Sequence, residues 1–154
     1  MKVIKAPGAF DFKDLTVFLA GSIEMGKAAD WQTKVTNALS KEKVIFFNPR
    51  RSDWDASWKQ DIENQQFKEQ VNWELDGLTN CDMVVFYFDP STMSPISLME
   101  LGLFAEKKDV IVCCPEGYWR KGNVDIVCER YNIKQAEDLD DLIEILRVQI
   151  GFYS

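Results

Sequence analysis

Five acidic residues fall between positions 74 and 100: Glu74 and Asp76 in a helical stretch, Asp82 and Asp89 on either side of an apolar run, and Glu100 beyond it. The chain has no histidine. Imidazole is thereby excluded as base, relay or metal ligand, and acid–base or nucleophilic chemistry falls to carboxylates, Tyr, Lys, Cys or Ser. Carboxylates in groups suit cleavage at an anomeric carbon, where one ionised group stabilises or captures an oxocarbenium-like centre and a second acid serves the departing group. Glu100 is the candidate for attack. It lies in or just after the first turn of a helix opened by Pro95, where the positive end of the macrodipole favours a charged carboxylate. A bland reading competes, because Ser97-x-x-Glu100 also spells a capping box in which the two residues satisfy each other's backbone N–H groups. Asp82 reads as a polar residue at a strand entrance, Asp89-Pro90 as a turn, and Glu74 and Asp76 either as substrate contacts or as solvated helix charges.

Those residues need a frame to hold them. Leu15–Ala20 (LTVFLA) is an unbroken apolar run ending at Gly21-Ser22, the pattern of a buried parallel strand closed by a turn. Ala28, Trp31, Val35, Ala38 and Leu39 recur at helical spacing and predict a helix over 28–41. Val44–Phe47 is a second strand, residues 48–60 a long loop, residues 61–80 a helix, and Asp82–Phe88 the strongest strand signal. Pro95–Glu106 is helical, Asp109–Cys114 a fourth strand, 131–135 a short fifth, and 138–150 a closing amphipathic helix. Strands alternating with helices predict one α/β domain over 1–154, a doubly wound Rossmann- or flavodoxin-like sheet of about five mainly parallel strands. In such sheets ligands bind beyond the carboxyl ends of the strands. The segments expected to converge are Gly21-Ser22, the loop 50–58, Asp89–Glu100 and Pro115–Asn123.

Gly21–Ala28 (GSIEMGKA) matches G-x-x-x-x-G-K and fails at the final Ser/Thr. Ala28 has no hydroxyl for magnesium, Glu24 is negative where phosphates would sit, and Ile23 and Met25 are bulky for a tight cradle. The favoured alternative is a turn whose backbone and Ser22 line a sugar or base pocket. Trp54, Trp58, Tyr118 and Trp119 lie in loops, available either to stack on a flat base or to pack the loops down. Arg50 and Arg51 stand beside Asp53 and Asp55, which can neutralise them.

The formal charge of −7 and a pI near 4.7 argue against nucleic acid or an anionic membrane as partner. Without a spanning apolar run or a leader-like N-terminus the expected location is the cytoplasm. Cys81, Cys113, Cys114 and Cys128 lack CxxC spacing and are expected to be free thiols, with no zinc and no other metal or cofactor.

FLAGS at 18–22, NWELDGLTNCDMVVF at 72–86, SPISLMELG at 94–102 and the later strand-Pro with Asn123 together resemble the nucleoside 2-deoxyribosyltransferases and their nucleotide N-glycosidase relatives over residues 15–125. The resemblance implies a covalent deoxyribosyl intermediate on Glu100 and substrate contacts from Gly21 and Ser22. It implies substrate contact near sugar and base for Glu74, eight residues before Asp82, where the family typically has aspartate. Asn123 matches an asparagine that reaches the sugar 5′-hydroxyl in a neighbouring subunit, implying a homo-oligomer with shared sites; Tyr153 is similar to an aromatic that closes the pocket in some members. Ser94 stands where several transferases carry a base-binding aspartate. The implied activity is base exchange on a 2′-deoxynucleoside without a cofactor. Hydrolysis of the same bond is the alternative, and a noncatalytic nucleotide-binding module or degenerate P-loop protein the reading from another class.

Overall fold

The computed structural model describes residues 1–153, the side chain of Met25 excepted. Its strands are β1 (Lys2–Lys5), β2 (Thr16–Gly21), β3 (Ile45–Asn48), β4 (Met83–Tyr87), β5 (Asp109–Cys113) and β6 (Lys134–Ala136). The helices are α1 (Trp31–Ala38), α2 (Gln65–Asn80), α3 (Pro95–Phe104), α4 (Lys121–Arg130) and α5 (Leu139–Phe152). All neighbouring strands pair in parallel, in the order β1-β3-β2-β4-β5-β6. Without the edge strand β1 this is the 2-1-3-4-5 order of flavodoxin-like sheets. Both faces are covered, which is why β2 and β4 read as continuous apolar runs. Alternate residues divide between two cores. Phe18, Ala20, Val84 and Phe86 pack under α2, α3 and α4, while Val17, Leu19, Met83 and Val85 pack under α1 and α5.

Caps set the helix starts later than periodicity alone predicts. The side chains of Asp30, Asn64 and Asp138 accept hydrogen bonds from the backbone N–H groups of Thr33, Phe67 and Asp141, fixing α1, α2 and α5. Two elements lie outside the sequence expectation. β1 is a four-residue strand paired on one side only, and α4 buries only Val124 and Cys128. Residues 8–12 are also ordered against the domain: Phe10 stacks on Trp73 with ring centroids 4.9 Å apart, and Gly8 O accepts the Trp73 indole N–H at 2.8 Å.

The order of connections reverses between β2 and β4, so the crevice that doubly wound sheets use opens where those strands end. Two glycines set its geometry. Gly21 has φ of 127°, and a Cβ there would lie 2.3 Å from Tyr87 O, so only glycine ends β2 this close to β4. Gly77 lets α2 press on the sheet, since a Cβ would meet the Phe18 ring at 2.6 Å. Glu74 is one turn earlier on the same face of α2, so that close approach sets its height above the strands. Asp82 has the structural role expected at a strand entrance: its carboxylate accepts the Thr16 N–H at 2.8 Å and hydroxyl at 2.7 Å, tying the starts of β2 and β4. The four cysteines are buried free thiols. No helix among the described residues is long and apolar enough to cross a membrane.

Candidate active site

Glu100 is the sixth residue of α3, in its second turn, with only 6% of its surface exposed. The capping box does not form: α3 is capped at Ser94 and begins at Pro95, so Ser97 is already helical and its side chain is not bonded to Glu100. The expected charge state changes with it. The macrodipole acts within the first turn, whereas burial first, and then the charge of Glu74, push the Glu100 carboxyl well above its ordinary range. Among the described residues no group donates a hydrogen bond to Glu100. Among the described residues the fully enclosed side-chain polar atoms without partners belong to Gln32 and Trp54, so the Glu100 carboxylate is not completely enclosed.

Glu74 faces the same space from α2. Burial raises its carboxyl from 4.5 to about 7, against a hydrogen bond from Gln70 Nε2 at 2.9 Å that favours the charged form. The orientation of Gln70 follows from its other contacts, because its Nε2 also donates to Pro49 O at 3.1 Å and its Oε1 accepts from Arg51 at 3.4 Å. Arg51 in turn makes two 2.9 Å bonds to Asp53 and lies 5.1 Å from the centre of the Trp58 ring, which packs edge-on against Trp54. The long loop is thereby fixed to the carboxylate pair through one buried amide. Of the pair, Glu74 has a donor and Glu100 has none, so in the ligand-free protein the shared proton rests on Glu100.

At the end of β2, Ser22 joins a buried triangle of hydroxyls, 2.9 Å from Thr92 and 2.6 Å from Ser94, with Thr92 and Ser94 2.8 Å apart. Ser22 Oγ also accepts the Asp89 N–H, and Thr92 donates to Asp89 O. Ser94 itself sits at φ 46°, ψ 52°, and its N–H donates to Glu24 Oε1 at 2.6 Å. The Tyr118 hydroxyl and the Trp119 indole both donate to Met93 O, holding the segment that enters α3. Tyr118 is buried and packs the loop down, whereas the Trp119 ring stays exposed with Arg120 over it. Burial opposes the charge of Asp89, but bonds from Ser91 and Ala29 prevail and keep its carboxyl below the ordinary value. It is a turn anchor.

The residues expected at the site thus separate. Glu100 and Glu74 lie close enough for one charge to act on the other, and Ser22 and Ser94 bond to each other just past Gly21, where β2 ends. Asp76, two residues beyond Glu74, points away from the crevice and is exposed beside Pro7 and Trp73. Asn123 is exposed on α4, lining with Leu98 and Gly102 a hollow that Glu100 does not border. Tyr153 is exposed where α5 ends, on the opposite face of the sheet from α3. The P-loop reading fails on geometry: α1 starts at Trp31, four residues past Lys27, with its own Asp30 cap, and the Glu24 carboxylate fills the bend. Gln70, Thr92 and the Glu24–Ser94 bond were not anticipated. Gln70 was findable, four residues before Glu74 on one helical face.

A model of the nucleoside 2-deoxyribosyltransferase-like family matches residues 14–118, which span every element bearing the carboxylate pair and the hydroxyl triangle. The chain belongs to that family. Members of the nucleoside 2-deoxyribosyltransferase-like family act on N-glycosidic bonds of nucleosides and nucleotides. Two solved structures share the fold at low identity. A conserved protein from Enterococcus faecalis V583 is 12% identical with a TM-score of 0.59, over 88% of this chain and 98% of that one. The CMP N-glycosidase BcmB of Clostridium botulinum is 15% identical with a TM-score of 0.57, over 86% of this chain and 98% of its own. No curated protein matches the sequence.

Proposed function

We propose that this family member is a nucleoside 2-deoxyribosyltransferase that works through a covalent deoxyribosyl ester on Glu100. The observation that carries the reading is the carboxylate pair, Glu100 buried and without a donor, Glu74 half-buried and with one, both raised by loss of solvent. Such a pair holding one proton contains what the reaction needs, one carboxylate and one acid. With the proton on Glu74, the Glu100 carboxylate bonds to C1′ as the C1′–N bond breaks. The bond's electron pair leaves with the base, which takes the proton from Glu74. An incoming base then attacks C1′, returns a proton to Glu74 and releases Glu100. No cofactor or metal enters these steps. Gly21, Ser22 and Ser94 frame the sugar, and the loop bearing Trp54 and Trp58 borders the base side through Arg51 and Gln70.

Asn123 serves a second copy of the chain in this scheme. Ile96, Met99 and Leu103 on α3 and Ile126 on α4 are exposed around it, an apolar face suited to self-association that would bring Asn123 to a neighbouring site.

Hydrolysis is the second reading, favoured by the N-glycosidase activity of BcmB. The two separate when a 2′-deoxynucleoside is incubated with an excess of a different free base and the products are resolved by chromatography. The transferase is expected to give the exchanged nucleoside as the main product, with free deoxyribose minor. Free deoxyribose that does not fall as acceptor base is added makes the protein a hydrolase. No base release from any purine or pyrimidine substrate leaves a noncatalytic binding module.

A further inference from the structure

We infer that Glu24 is a specificity residue that selects substrates with a free 5′-hydroxyl and rejects 5′-monophosphates. The inference rests on the glycosidic reading above and extends it to the class of substrate. Glu24 precedes the bend at Gly26 and reaches across the mouth of the crevice. Its Oε1 accepts the N–H of Ser94, the residue that caps the helix carrying Glu100. Its other carboxylate oxygen has no hydrogen-bond partner among the described residues, and the side chain is partly exposed.

Ser94 and Glu100 are six residues apart, so the helix axis separates them by roughly 9 Å. The Glu100 side chain leans back toward the N-terminus and shortens that gap. The span is that of one sugar with a substituent: a pentose whose C1′ meets Glu100 can direct its C5′ arm toward the Glu24–Ser94 end. A 5′-hydroxyl arriving there has a proton to donate to the open carboxylate oxygen. A phosphate has only acceptors and two negative charges, and it meets a fixed carboxylate at close range.

Within this chain, Lys27 apart, the donors near that end are already engaged. Arg50 donates to the carbonyls of Gly26, Ala28 and Ala29. Arg51 is held by Asp53 and Gln70. The Ser22, Thr92 and Ser94 hydroxyls are bonded to one another, and the Ser94 N–H is taken by Glu24 itself. Lys27 is the one cation in the bend and is exposed. Should Lys27 rather than Glu24 govern the 5′ end, the preference runs the other way.

The test compares kcat/KM for base release from each 2′-deoxynucleoside and its own 5′-monophosphate, in wild type and in Glu24→Gln. Glutamine keeps an acceptor for Ser94 N–H and removes the charge; thermal unfolding of both proteins checks that the fold is retained. The wild type is expected to favour the nucleoside by about 100-fold or more, and Glu24→Gln to narrow that ratio by about tenfold. A wild type that prefers monophosphates, or a ratio unmoved in folded Glu24→Gln, overturns the role of Glu24 and leaves the glycosidic activity standing. Absence of base release from every nucleoside and monophosphate overturns the activity, and with it this role.

Discussion

Replacing Glu100 by Gln is expected to abolish base release and, at the same time, to make the protein more stable at neutral and alkaline pH. The loss should be at least about 10³-fold in kcat/KM, since a covalent nucleophile cannot be replaced by an amide. The stability gain follows from the raised carboxyl. An unfolded glutamate ionises near 4.5, whereas Glu100 in the fold holds its proton well above that. Below about pH 4.5 both states are protonated and the group costs nothing. As pH rises past that point the unfolded chain deprotonates first and gains stability, so folding loses free energy until the folded group also ionises. For Glu74, a displacement from 4.5 to about 7 corresponds to about 3 kcal/mol at pH 8. The Glu100 carboxyl is raised in the same direction, so a higher Tm at pH 8 is expected for Glu100→Gln, with the difference shrinking toward zero at pH 4. Thermal unfolding across pH reads this directly. A glutamate whose work was to cap α3 would behave oppositely, costing about 1 kcal/mol on removal.

The second large effect is on the pH profile. The competent pair carries one proton: with two, no carboxylate can attack; with none, no acid serves the departing base. Resting and reactive arrangements differ only in which carboxyl holds that proton, so they share one charge state. The kcat/KM profile is therefore expected to be bell-shaped, with its rising limb near pH 7, where Glu74 ionises, and its falling limb above that, where Glu100 gives up its proton. Gln70→Leu removes the donor that favours charged Glu74, so its rising limb should move to higher pH while the falling limb stays close to that of wild type. Glu74→Gln should erase the falling limb, leaving activity that rises with pH as Glu100 ionises, and slow reactions of bases that need protonation by about 10²-fold or more. A flat profile between pH 5 and 9 would contradict the shared proton.

Much of this architecture is legible in the sequence because parallel strands covered on both faces leave unbroken apolar runs, and β2 and β4 are such runs. β1 escapes because a strand paired along one side needs no long apolar stretch. α4 escapes because it buries one short stripe, Val124 and Cys128, and opens with Gly and Asn in its first turn. Glu100 and Glu74 stand out through residue type and spacing, but their environment does not: the sequence predicts a dipole-stabilised anion at Glu100, and tertiary burial reverses the sign of the effect. Asp76 shows the complementary limit, since two positions along a helix place a side chain on the other side, and only the observed facing of α2 tells which of the two acids enters the crevice. The Glu24–Ser94 bond joins residues 70 positions apart through two left-handed backbone conformations, at φ 48° and 46°. No local rule of sequence announces such a pairing.

The central claim is the covalent role of Glu100, and intact-protein mass spectrometry tests it most directly. Wild type and Glu100→Ala are mixed with a panel of 2′-deoxynucleosides, quenched in acid, weighed, and digested to map the modified peptide. The expected result is a mass increase of one deoxyribosyl unit on the wild type alone, carried by the peptide containing Glu100 and discharged when a second base is added before quenching. Base release with no adduct, or an adduct that persists in Glu100→Ala, would contradict the assignment.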